Sequence, residues 1–180
     1  MTGPAGADTV AVLSYGHMRQ AVRAVIVHDG ALLVMRRNKF GREYYTLVGG
    51  GVEAGEELEV ALMRELSEET TLRARDPKLV FIEEADEPFG TQYIYHCEYD
   101  GGDIALRDDS EEAQSNQGGM NTYHPEWLPT DRLKAVAFMS PDLQERLIGC
   151  LTDGAWPDRA ERFIPAKAAG AAPAVDPDIV

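Results

Sequence analysis

The sequence predicts an α/β fold in which a mixed sheet lies between helical layers. Three observations carry that reading. Two apolar runs, Ala21 to Val27 and Ala31 to Met35, are joined by Asp29-Gly30, a strong two-residue hairpin signal. Leu58, Leu62 and Leu66 recur every four residues, the stripe of a helix with one buried face. Ser140-Pro141 opens a last helix, with serine suited to the N-cap and proline to the first helical position. Hairpins together with two main helices imply a sheet packed against helices.

The elements follow in order. After the first hairpin, Tyr44 to Val48 reads as a short strand leading into Gly49-Gly50-Gly51. A helix is expected from about Glu57 to Thr70. Leu79 to Glu84 and Thr91 to Glu98 form a second hairpin, turning at Pro88-Phe89-Gly90. Asp100-Gly101-Gly102 is a further turn, and Asp103 to Leu106 reads as a brief strand. Asp108 to Asn121 is a polar loop, order resumes at Trp127-Leu128, and the last helix runs to about Leu151. The ends differ from the middle. Residues 1–17 read as an N-terminal extension that is partly flexible, 18–152 as the folded domain, and 153–180 as an Ala/Pro-rich tail expected to be flexible.

Composition limits the function classes. With 180 residues the chain makes one domain with a real core. Its net charge of −14 argues against a general nucleic-acid binder, which usually shows a basic face. Two cysteines, Cys97 and Cys150, make no disulfide framework. There is no basic, apolar leader at the N-terminus and no run long enough for a membrane helix, so a cytoplasmic location without membrane partners is expected. A homodimer is left open.

The expected helix carries Glu65, Glu68 and Glu69. Residues three and four apart share a helix face, so Glu65 aligns with both other acids. Such a cluster repels itself unless a hard divalent cation, which takes oxygen ligands, sits among them. A glutamate-rich helix is ordinarily only a solvated face. The surrounding pattern reverses that expectation. Gly50, five residues, Glu56, seven residues, then Arg64-Glu65-Leu66-x-Glu68-Glu69 and Leu72 resembles the signature box of the Nudix hydrolases. Thr71 stands where the family has glycine, and Val48 where many members have proline.

The resemblance implies an α/β/α sandwich and metal-dependent hydrolysis of a diphosphate linkage in a nucleoside diphosphate derivative, with Mg²⁺ (or Mn²⁺) as cofactor. It implies Glu65 and Glu69 as metal ligands, Glu68 as ligand or base, and the carbonyl of Gly49 as a further ligand. Glu56 would pair with Arg64 and fix the loop against the helix, while Gly50, Leu66 and Leu72 would be structural. Many relatives add a carboxylate from a later loop. Glu112 is preferred here over Glu111. For the substrate, Arg23, Arg36 and Arg37 are candidate phosphate grips, and Tyr44 and Tyr45 candidate ring stackers, Tyr45 being the site residue chosen. Pro88, sixteen residues past Leu72, occurs near that spacing in members that cleave ADP-ribose, which gives ADP-ribose a small preference; a nucleotide sugar is the other class weighed. No match to the motif of the NADH-cleaving members follows the box. Two alternatives stay open: a non-catalytic nucleotide sensor, and an isoprenoid diphosphate isomerase for which Cys97 would be the strand cysteine.

Overall fold

The computed structural model describes residues 19–86 and 88–166. The expected N-terminal extension, and residues 167–180 of the expected tail, lie outside them. The chain runs β1 (Gln20–His28), β2 (Ala31–Lys39), β3 (Arg42–Thr46), α1 (Leu58–Glu69), β4 (Ala74–Glu84), β5 (Thr91–Tyr99), α2 (Glu111–Gln117), β6 (Asn121–Pro129), a 3₁₀ turn (Thr130–Ala135), α3 (Pro141–Asp153) and β7 (Glu161–Phe163).

The sheet is mixed. Its order is β3-β2-β1-β5-β4-β7, with β6 added on β2. The β1·β5 and β4·β7 pairs are parallel and the others antiparallel. Side chains alternate across each strand, so one face carries Val22, Ala24 and Ile26 and packs against Ala61, Leu62 and Leu66 of α1. The other face carries Val25, Leu32, Val34 and Ile94 and packs against Leu143 and Leu147 of α3. The result is the α/β/α sandwich.

One feature of β1 and β2 creates the site. They pair only beside their turn, at Val27↔Leu32 and His28↔Ala31. Beyond it they part. β1 continues along β5, while β2 continues between β3 and β6. The glycine-rich segment after β3 enters the opening and bridges to β1: the Val22 amide donates to the Gly50 carbonyl and the Ala24 amide to the Val48 carbonyl, each at 3.0 Å.

Several expectations need correction. Asp103 to Leu106 is no strand; it crosses the end of α1, where its Ile104 and Leu106 pack against the α1-side core. The Asp108–Asn121 loop contains the helix α2. Order resumes at Asn121 rather than at Trp127. The domain does not end at 152: β7 pairs with β4, and Phe163 is buried against Phe81. The helix expectations stand closer to the structure. Glu57 and Thr70 flank α1 as its caps, and the Ser140 hydroxyl accepts from the Leu143 amide at the start of α3.

Candidate active site

A cleft of about 1570 Å³, lined by many charged residues, opens where β1 and β2 part. Its size exceeds that of a typical small-ligand pocket, so it has room for an extended, highly charged molecule. Residues 49–56, Glu65, Glu68 and Glu69 of α1, the start of α2, and the cleft-facing side chains of β1, β2 and β3 line it.

Arg64 organises the loop. Its Nε donates to Glu56 Oε1 at 2.9 Å and its Nη2 to Glu56 Oε2 at 2.8 Å, a two-bond fork. Nη2 also donates to the Gly51 carbonyl at 2.9 Å, and Nη1 to Glu65 Oε1 at 2.7 Å. Glu56 accepts in addition from the Glu53 amide. The Arg64 fork, reinforced by that amide, holds the Glu56 carboxyl down at about 2. One guanidinium therefore ties the loop, the helix and an acid of the cluster together. Two glycines stand at close approaches, Gly50 to a side-chain end and Gly49 to backbone. Gly50 lies under the Glu65 carboxylate, where any Cβ would collide with it. Gly49 has φ 124°, and a Cβ there would strike the Val22 carbonyl.

The α1 acids are differently placed. Glu69 is 6% exposed, and its Oε2 accepts from the Gly49 amide at 2.5 Å. Burial pushes its carboxyl up to about 8 against the opposing Gly49 bond and the nearby Arg23; Glu112 and Glu65 push the same way as burial. Glu65 is also raised by burial, opposed by Arg64. The Glu68 side chain is 42% exposed, with its Oε2 3.6 Å from Arg64 Nη1. At the start of α2 both Glu111 and Glu112 border the same cleft, Glu112 half-buried and Glu111 exposed. Among the described residues, no three His, Cys, Asp or Glu side chains converge closely enough to hold a metal. Glu69 is turned to the Gly49 amide and Glu65 to Arg64. The chemistry of the donor set nonetheless fits a hard divalent cation, because five carboxylates from two helices, Glu65, Glu68, Glu69, Glu111 and Glu112, border one cleft.

On β2 and β3 the candidate residues divide by face. Arg23 and Arg37 line the cleft, and so does Tyr44. Arg23 donates from Nε to Gln92 Oε1 at 3.0 Å, and burial lowers its pKa against the pull of Glu69 and Glu65. Arg37 lies over the Tyr123 ring at 3.5 Å and donates to Asn121 Oδ1. Arg36 and Tyr45 are corrections. They pair across β2 and β3 on the opposite face, where Arg36 is held by Glu126 and Glu43 and Tyr45 packs against the α3-side core. The period of two turns Arg37 and Tyr44 toward the cleft and their neighbours Arg36 and Tyr45 away from it.

Leu66 and Leu72 are buried in the α1-side core. Cys97 is buried there too, its thiol pushed up to about 12 by desolvation. Pro88 and Phe89 border the cleft from the β4–β5 turn. The sequence reading passed over Tyr123 and Gln92 on the cleft wall. Their signal is strand phase, readable only once the pairing partner is known.

The comparisons with known proteins bear on the family and the fold. The family model described as NUDIX domain matches residues 17–146. The chain is 28% identical over 92 residues to an NAD-capped RNA hydrolase NudC of Shigella flexneri, covering 51% of this chain and 36% of that protein. It is 29% identical over 102 residues to the NudC of Pseudomonas entomophila, covering 56% and 37%. The chain thus spans little more than a third of the length of these relatives. An ADP-ribose pyrophosphatase structure from Streptococcus suis matches with a TM-score of 0.55 at 17% identity, covering 82% of this chain and 98% of that one. That likeness shows the fold. With the family model matching 130 of the 180 residues, the chain belongs to the NUDIX domain family.

Proposed function

We infer that the chain hydrolyses a diphosphate linkage in a nucleoside diphosphate derivative by attack of water. The observation that carries this reading is the meeting of Glu65, Glu68, Glu69 and Glu112 on one cleft whose other wall holds Arg23 and Arg37. The residues that would hold a divalent cation are Glu65, Glu68 and Glu69, with the Gly49 carbonyl and Glu112. Bound there, Mg²⁺ or Mn²⁺ supplies neutralising charge to the diphosphate and makes water more acidic.

The chain's own residues supply position and proton transfer. Arg64 acts as a positioning residue, because its donors are engaged by Glu56, Glu65 and Gly51. Of the three clustered acids of α1, Glu68 is the most open to solvent and takes the proton of the attacking water. Water adds to one phosphorus, the bridging P–O bond breaks, and the leaving phosphate keeps the electron pair. Arg23 and Arg37 offer charge to the phosphates.

Among substrates, ADP-ribose is favoured: Pro88 and Phe89 sit on the cleft rim, and one matching fold is an ADP-ribose pyrophosphatase. The NAD-capped RNA hydrolase relatives add NAD derivatives as the second class. Thiol chemistry of the isomerase kind has no support, since Cys97 is buried in the core. A panel of ADP-ribose, NAD⁺, NADH, nucleotide sugars, nucleoside triphosphates, dinucleoside polyphosphates and coenzyme A, each with Mg²⁺ or Mn²⁺, tests the reading. Cleavage of at least one diphosphate, abolished by chelation, is expected. Binding without turnover points to a sensor, and a product of unchanged mass to an isomerase. Turnover that survives exhaustive chelation removes the α1 acids as a metal site.

A further inference from the structure

The α2 segment has an unusual attachment. It is a seven-residue helix with no buried residue, so apolar packing does little to hold it. It nevertheless carries Glu112 to the cleft. Its docking is polar. The Asn116 side chain accepts from the Tyr123 amide through Oδ1 at 2.6 Å and donates through Nδ2 to the Tyr123 carbonyl at 2.9 Å. The side-chain amide thus imitates a strand partner for one residue of β6. Ser115 Oγ adds a bond to the Asn121 carbonyl at 2.9 Å.

Helix spacing connects this contact to the site. Glu112 and Asn116 are four residues apart and share one face of α2. The face that clasps β6 is therefore the face that presents the acid. The β6 segment it clasps also supports the opposite wall: Asn121 Oδ1 accepts from Arg37, and the Tyr123 ring lies under the Arg37 guanidinium. An asparagine is suited to this task because it offers a donor and an acceptor in one plane. Alanine offers neither, and aspartate keeps only the acceptor.

We propose that Asn116 is a positioning residue for the hydrolytic site, a polar latch that docks α2 on β6 and thereby sets Glu112 in the cleft. This rests on the hydrolase reading for its effect on turnover, but the latch itself is a property of the fold. When the latch is intact, Glu112 is held toward the α1 acids. When it opens, α2 leaves β6 and the cleft loses one carboxylate.

Two measurements on the full chain test it. The first is amide hydrogen exchange of residues 111–117 in wild type and in Asn116→Ala, without metal or substrate. Exchange at least tenfold faster in the variant, with the α1 amides unchanged, is expected. Unchanged exchange in α2 overturns the latch. The second is a double-mutant cycle of Asn116→Ala with Glu112→Gln, read as kcat and KM on whichever panel substrate the wild type cleaves. Each single change is expected to lower kcat about tenfold, and the double variant to lose no more than Glu112→Gln alone. Losses that multiply overturn action through Glu112. Asn116→Asp, which keeps the acceptor, should fall between wild type and alanine in exchange rate; a rate equal to that of wild type removes the donor half of the latch. If the wild type cleaves no panel compound, the hydrolase reading fails and Asn116 has no catalytic positioning role, while the exchange measurement still decides whether the latch exists.

Discussion

The two helices that bring acids to the cleft do so by opposite means. α1 buries Ala61, Leu62 and Leu66 in the core and is clamped by Arg64. α2 buries nothing and is held by side-chain bonds to β6. Burial of an apolar stripe fixes a helix to within the tolerance of close packing. Hydrogen bonds at a half-exposed surface exchange readily with water and contribute about 1 kcal/mol each. The acids of α1 are therefore a fixed array, and Glu112 is an adjustable one.

The largest expected effect breaks the fixed side. Leu66→Ala should lower unfolding free energy by about 2–5 kcal/mol, the range for a buried leucine truncated in a packed core. Ala113→Gly in α2 should cost no more than about 1 kcal/mol, its intrinsic helix penalty. Chemical denaturation of both variants measures the contrast. Equal losses would show that α2 is as deeply built in as α1.

The next effect is chemical. Glu69→Gln keeps the shape and the acceptor for the Gly49 amide but removes the charge. It should lower kcat by roughly 10²-fold, about 2.7 kcal/mol. The same variant has a stability signature. The Glu69 carboxyl sits at about 8 in the folded chain against an ordinary 4.5. Below the ordinary value it is neutral in both states. As pH rises toward 8 the unfolded chain ionises while the folded one resists, so the folded state loses stability. Glutamine has no such loss. Without divalent cation, Tm of Glu69→Gln relative to wild type should therefore climb between about pH 5 and 8, and Mg²⁺ should shrink the difference. A flat difference across that range would mean that Glu69 ionises freely.

Arg64→Lys sharpens the comparison at the clamp. Lysine keeps the charge but cannot make the fork to Glu56 while also reaching Gly51 and Glu65. Turnover should fall about tenfold, about 1.4 kcal/mol, with little change in global stability because the leucine stripe still anchors α1. An unchanged kcat would show that the loop needs no clamp.

The same contrast explains what the sequence could reveal. α1 has an apolar stripe and α3 a Ser140-Pro141 capping start, so both were legible. The first hairpin was legible from Asp29-Gly30, both of which adopt positive φ. The second turn, Phe40-Gly41, also has positive φ at both residues, but phenylalanine is not a turn residue and gave no signal. α2 has no stripe to read. β6 contains Pro125, which argues against a strand; the proline is tolerated because, among the described residues, β6 pairs with β2 alone. β7 is three residues long, too short to show a period. Within the site, the box residues were legible because spacing along one helix fixes their face. Arg36 and Tyr45 were misassigned because the phase of a strand depends on partners far away in the chain.

The smallest effect concerns Thr71, the residue that departs from the motif. Glycine at that position would suit a helix that ends in a left-handed residue. Here the helix ends otherwise. Thr70 caps α1 in an extended conformation, φ −147°, and its hydroxyl donates to the Leu66 carbonyl. Among the described residues the positive-φ non-glycines are Asp29, Phe40 and Asp76, and Thr71 is not one of them. Its hydroxyl donates to the Asp103 carbonyl at 2.9 Å, tying the helix exit to the segment that crosses it. Glycine there would relieve no strain, would lose that bond and would add backbone freedom to the unfolded chain. Thr71→Gly should therefore destabilise the fold by about 0.5–1 kcal/mol, and kcat should stay within about twofold of wild type because the α1 acids lie upstream. Urea denaturation checks the first part and initial rates the second. A gain in stability would mean that Thr71 had been holding a conformation fit for glycine, and that the motif position keeps its usual demand in this chain.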